Sequence, residues 1–68
     1  MDKWQRVYSD PSMHKAEIVK AVLEEHNLKP VLINKQDSSY KFGNYEIYVN
    51  PDEVIRAIKL INDEIRFG

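Results

Sequence analysis

Cysteine is missing from this 68-residue chain, so neither disulfides nor thiolate metal sites contribute stability or chemistry. Glycine occurs only twice, and no phosphate-binding glycine run is present. No stretch approaches the roughly 18 consecutive apolar residues of a membrane span. The start, Met1 to Arg6, carries no apolar signal-peptide region, and a cytoplasmic location with no membrane partner is expected. Charge of one sign is also lacking. Ten basic residues face eleven acidic ones, for a net charge of −1 and a pI near 6.1, so no global basic field draws nucleic acid.

What is present suits a folded domain: 43% apolar residues and 31% charged ones. The length predicts a single domain over 1–68. Below about 70–80 residues one apolar core rarely supplies more than about 3–5 kcal/mol. Idealised helix–sheet packing, self-association, or both are therefore expected.

Trp4-Gln5-Arg6-Val7-Tyr8 is rich in β-formers and alternates weakly, which predicts strand one. Asp10 can cap a helix whose first position is Pro11. That first helix is expected to run to His26 or Asn27, with Ala16, Val19, Val22 and Leu23 on one face and Ile18 at its edge. Lys20 and Glu24 form an i,i+4 pair on the polar side. Asn27 reads as a left-handed terminator, and Pro30 blocks continuation. Val31-Leu32-Ile33 predicts strand two. Asn44 to Val49 predicts strand three, with Tyr45, Ile47 and Val49 on one face. Asn50-Pro51-Asp52-Glu53 then starts a second helix reaching about Arg66. Val54, Ala57, Ile58, Ile61 and Ile65 share its apolar face, with Leu60 and Phe67 on the opposite side.

The order β-α-β-β-α predicts an α+β fold with a three-stranded mixed sheet ordered 1-3-2 and both helices on one face. Strands one and three would be parallel neighbours, and strand two antiparallel to three. This is a split β-α-β arrangement lacking its last strand, a truncated ferredoxin-like plait.

The run Leu32-Ile33-Asn34-Lys35-Gln36-Asp37-Ser38-Ser39-Tyr40, followed by Phe42-Gly43 and Glu46-Ile47-Tyr48-Val49, resembles a family of small bacterial domains of unknown function labelled prokaryotic signal-transducing proteins. The likeness extends to strand one, to Ala16-Glu17-Ile18-Val19-Lys20 and to the second helix, and the Asn-Lys-Gln-Asp-Ser-Ser-Tyr run is similar to Bacteroidetes-type members. The resemblance implies a fold like half of a nitrogen-regulatory PII protein and a role in signal transduction. In PII proteins the loop between strands two and three contacts regulated partners, and residues 34–43 occupy that position here. They depart from the PII pattern in a shorter loop and a missing fourth strand.

Residues 34–43 are the principal candidate site, because hairpin connections usually need only about two to five residues. Two readings stand side by side. Ser38, Ser39 and local backbone N–H groups can receive a small anion, with Lys35 and Lys41 supplying charge and Asp37 opposing it. Alternatively, Asp37 and the serines satisfy the turn's own backbone while Tyr40 and Phe42 pin it. In the first reading Lys35, Gln36, Asp37, Ser38, Ser39 and Tyr40 meet a protein partner or small anionic ligand. Gly43 is expected at positive φ or at a bulge.

A second candidate is the sheet face away from the helices. With Val7 inward, Trp4, Arg6, Tyr8, Glu46 and Tyr48 point outward. Trp4, Tyr8 and Tyr48 would then form a partner surface or a stacking platform for single-stranded nucleic acid. The alternative register turns Trp4 and Tyr8 inward. No Arg/Lys-Gly-aromatic-Gly motif of RNA-recognition domains is present. Leu60 and Phe67 mark a third candidate contact.

Catalysis and metal binding find no support. His26 suits a helix end, and His14 is twelve residues away with no clustered acids. Ser38 and Ser39 have no activating base at a recognisable spacing. Asp52-Glu53 and Glu24-Glu25 read as cap and surface charges. The chain is expected to be non-enzymatic, without cofactor or metal.

Overall fold

A computed structural model describes residues 3–35 and 43–65. The elements are β1 (Gln5–Asp10), α1 (Met13–Glu25), β2 (Val31–Asn34), β3 (Tyr45–Val49), a 3-10 turn (Pro51–Glu53) and α2 (Val54–Glu64). The order β-α-β-β-α and the strand sequence β1-β3-β2 are as expected.

Strand direction corrects the mixed sheet. β3 is antiparallel to β2 and also to β1. The crossover through α1 makes β1 and β2 point the same way. The β2–β3 connection then reverses the chain, so β3, inserted between them, opposes both. The parallel pairing of strands one and three does not occur.

α1 begins two residues later than Asp10 capping would have it. Asp10 stays in β1 opposite Tyr45, and its Oδ1 accepts from the Ser12 N–H at 2.7 Å. Ser12 is the cap: its Oγ accepts from the Lys15 N–H at 3.3 Å. The other end follows expectation. Asn27 takes φ 67°, the Asn27 N–H reaches Glu24 O at 3.0 Å, and the Leu28 N–H reaches Leu23 O at 3.0 Å. This is a Schellman closure, completed by buried Leu28 beside buried Leu23. The Lys20–Glu24 pair forms at 3.1 Å. α2 is entered through the Pro51–Glu53 turn, whose Glu53 N–H bonds Asn50 O at 2.9 Å, while the Asn50 side chain caps nothing. α2 ends at Glu64, short of Arg66, because Ile65 is already extended.

The core is Ala16, Val19 and Leu23 of α1, Leu28, Ile47 and Val49 of β3, and Ala57 of α2. Val7, Tyr8, Leu32, Tyr45, Val54, Leu60, Ile61 and Ile65 pack around it. In β1 the pairing shifts between Arg6 and Tyr8, leaving Val7 as a bulge. A bulge sets two successive residues against one partner residue, so both Val7 and Tyr8 reach the core. Neither register read from alternation is right along the whole strand.

α2 is rolled about its axis relative to expectation. Leu60, assigned to the polar side, packs on the core, whereas Ile58, assigned inward, is 44% exposed. α2 packs on α1 as well as on β1, and Arg56 Nη2 donates to His26 O at 2.9 Å. That bond lies on the Leu60 side of α2, the side turned toward the end of α1. Leu60→Ala should therefore destabilise by about 2–3 kcal/mol and Ile58→Ala by under about 1 kcal/mol. Urea unfolding of the two variants measures the difference, and equal losses would contradict the roll.

Candidate functional site

The β2–β3 connection is closed at its base by main chain. One step beyond the Asn34–Tyr45 pair, the Lys35 N–H donates to Asn44 O at 2.9 Å. Gly43 sits at φ 113°, which suits a residue without Cβ and answers the positive-φ expectation. Both ends of the polar segment are thus tied to one end of the sheet. Lys35 is exposed there. Gln36, Asp37, Ser38, Ser39 and Tyr40 lie outside the described residues, as does Phe67.

The uncovered sheet face is built outward from β3. Because Ile47 and Val49 are buried against the helices, Glu46 and Tyr48 project to the other side. Directly opposed residues share a face. Arg6 and Ser9 of β1, and Val31 and Ile33 of β2, therefore flank them. A bonded group occupies the middle. Arg6 Nη1 donates to Glu46 Oε2 at 3.0 Å, and the Tyr48 hydroxyl donates to Glu46 Oε1 at 2.7 Å. Asn44 Nδ2 donates to Ser9 Oγ at 2.7 Å.

These bonds set the protonation of the face. The Tyr48 hydroxyl is the main influence holding the Glu46 carboxyl below its ordinary range. Partial burial opposes it, and the Arg6 guanidinium and the Lys35 charge assist. The same bond to Glu46 pushes the Tyr48 hydroxyl up. On the other face, burial first and then neighbouring Asp10 push the Tyr8 hydroxyl up, its O–H donating to Asp10 Oδ2 at 3.2 Å.

The aromatic trio expected on one face is therefore not assembled. Tyr48 is on the open face, Tyr8 is turned to the core by the bulge, and Trp4 is half-buried just before β1. Val31 and Ile33 were not foreseen on this face. The signal for them is the pairing of strand two with an already oriented strand three, residue against residue. Leu60, expected as an exposed contact, instead lines a shallow groove of about 320 Å³ with His26, Arg56, Lys59, Asp63 and Glu64. At the end of α1 the His26 main chain, rather than the imidazole, makes the bonds, with N–H to Leu23 O and C=O to Arg56.

Among the described residues no three of His, Cys, Asp or Glu cluster as metal ligands. None of their helices is long and apolar enough to cross a membrane. The open face thus carries a charged carboxylate paired with an arginine and a tyrosine, flanked by the aliphatic Val31 and Ile33.

The fold defines an α+β domain of the split β-α-β type. No family model and no curated protein matches the chain. Among solved structures it is similar to EscJ, a type III secretion system protein of enteropathogenic E. coli, with a TM-score of 0.69 and 20% identity. The match covers 96% of this chain and 42% of that one, so this chain spans less than half the length of EscJ. At that identity the likeness shows the fold alone.

The Glu46 group makes a pH prediction. A carboxyl lowered in the folded state contributes stability above its unfolded pKa, and that contribution is lost as pH falls through the folded value. Tyr48→Phe removes the leading cause, so the Glu46 carboxyl should titrate nearer its ordinary range. Carboxyl-carbon NMR titration of both proteins reads this directly, and an unchanged Glu46 curve would mean the hydroxyl does not hold it.

Proposed function

We propose that this chain is a small non-enzymatic regulatory or interaction module that presents residues 34–43 to a protein partner or a small anionic ligand. The observation that supports this is the closed base of that segment. The Lys35–Asn44 main-chain bond and Gly43 at φ 113° fix where the segment leaves and rejoins the sheet. A polar segment held on a rigid scaffold is a common way to display binding residues. The open sheet face beside it, with Arg6, Glu46, Tyr48, Val31 and Ile33, adds a mixed apolar and polar surface of the sort proteins use for one another. A signalling role in the bacterial cytoplasm accords with the family resemblance. Single-stranded nucleic-acid binding on the sheet face is the lesser alternative, since it is left without Tyr8.

A 15N–1H amide spectrum titrated with nucleotides, phosphorylated metabolites and short RNA tests the proposal. Shifts should concentrate on residues 34–43. Combined Gln36→Ala, Ser38→Ala and Ser39→Ala substitution should abolish them while leaving the thermal transition in place. Collapse of the transition would show instead that these side chains hold the turn together. Salt-sensitive quenching of Trp4 fluorescence by single-stranded RNA would move the function to the sheet face.

A further inference from the structure

Two features on one flank of the molecule are unexplained by an interaction role for residues 34–43. The first is the outer edge of β1. Among the described residues no strand lies beside it, so its outward main-chain groups have no ladder partner. The second is an apolar stripe on α2, where Ile55 is 83% exposed and Ile58 44% exposed. α1 lies against all three strands, whereas α2 packs on β1 and on α1. Arg56 and Leu60 mark the side of α2 that faces α1. At about 100° per residue, Ile55 and Ile58 fall on the flank away from α1. They therefore lie on the side of α2 away from α1, on the helix that packs on β1.

The faces of β1 say what fits there. Gln5 and Asp10 oppose Val49 and Tyr45, the inward residues of β3, while Arg6 and Ser9 oppose its outward residues Tyr48 and Glu46. Val7 and Tyr8 both reach the core. From Gln5 to Asp10 the pattern is in, out, in, in, out, in, which reads the same from either end. In an antiparallel pair, opposed residues must share a face. Two copies of β1 about a twofold axis meet this at every position, with Gln5 opposite Asp10, Arg6 opposite Ser9 and Val7 opposite Tyr8 of the second copy. A strictly alternating strand would fail in that register, and no like charges meet in it. A bulge ordinarily discourages strand addition. Here its local twist is matched by a strand bulged at the same place, which a second copy supplies.

We propose that the open edge of β1, beneath the Ile55 and Ile58 flank of α2, is a homodimer interface. The two β1 strands pair antiparallel to make one six-stranded sheet. Above the seam the two α2 helices run antiparallel, and the uncharged stripe Ile55, Ile58 and Asn62 meets itself with Ile58 near the axis. A closed twofold of this kind is self-complementary, and it covers apolar surface that the small core cannot. The proposal does not rest on the role of residues 34–43.

Sedimentation equilibrium of the full chain at micromolar concentration should give twice the 8.0 kDa chain mass. Ile55→Lys and Ile58→Lys alter exposed side chains and should leave the circular dichroism spectrum unchanged. Each should weaken dimerisation by at least about tenfold, and the β1 amides protected from exchange in the dimer should become labile. A monomer at every concentration overturns the proposal, including one whose β1 edge is protected by the chain's own continuation beyond Ile65. So does a dimer that tolerates both lysines but is dissociated by Ile33→Lys on the open sheet face.

Discussion

The structure depends on one strand being satisfied on three sides. β3 bonds β1 along one edge and β2 along the other, and it turns Ile47 and Val49 into the helices, where both are fully buried. Only a strand in this central place can orient its neighbours, because opposed residues in a ladder take the same face. The inward positions of Leu32 and Tyr8 and the outward positions of Val31, Ile33 and Arg6 all follow from β3. So does the chemistry of the open face, since Glu46 and Tyr48 are the alternate residues of the same strand and clasp each other at 2.7 Å.

A second constraint is economy of size. The fully buried side chains are aliphatic and no larger than leucine or isoleucine, so a loss of even one is a large share of the few kcal/mol such a domain holds. Both ends of α1 are correspondingly well finished, whereas α2 is entered without a side-chain cap. Ser12 opens α1, the Asn27 and Leu28 main chain closes it, and Arg56 covers the carbonyl left at His26. With the helices on one side of the sheet, the opposite face and the β1 edge are uncovered among the described residues. The polar segment between β2 and β3 departs from the end of the sheet where Asp10 of β1 opposes Tyr45.

Two features around the candidate site were legible in advance. Gly43 announced its positive φ, and the alternation of Tyr45 to Val49 placed Glu46 and Tyr48 on the face away from the helices. Strand one misled because its alternation is interrupted. Val7 and Tyr8 are neighbours in sequence yet share the core side, and only pairing with β3 reveals the extra residue. Leu60 misled for a different cause. Helical periodicity fixes which residues share a side but not how far the helix rolls, and that is set where α2 packs on α1 and β1.

By itself the sequence determined what local physics can settle. That covers the order of elements, the left-handed stop at Asn27, the buried face of α1, and the 1-3-2 arrangement implied by a right-handed crossover and a short return. The antiparallel direction of β1 against β3 follows from that same topology, since β1 and β2 run alike and β3 reverses between them. The tertiary structure alone decided the bulge at Val7, the transfer of the helix cap from Asp10 to Ser12 and the exposure of Ile58. Each of these is a choice between locally equivalent states. It is resolved by a partner distant in sequence, whose position no propensity or period encodes.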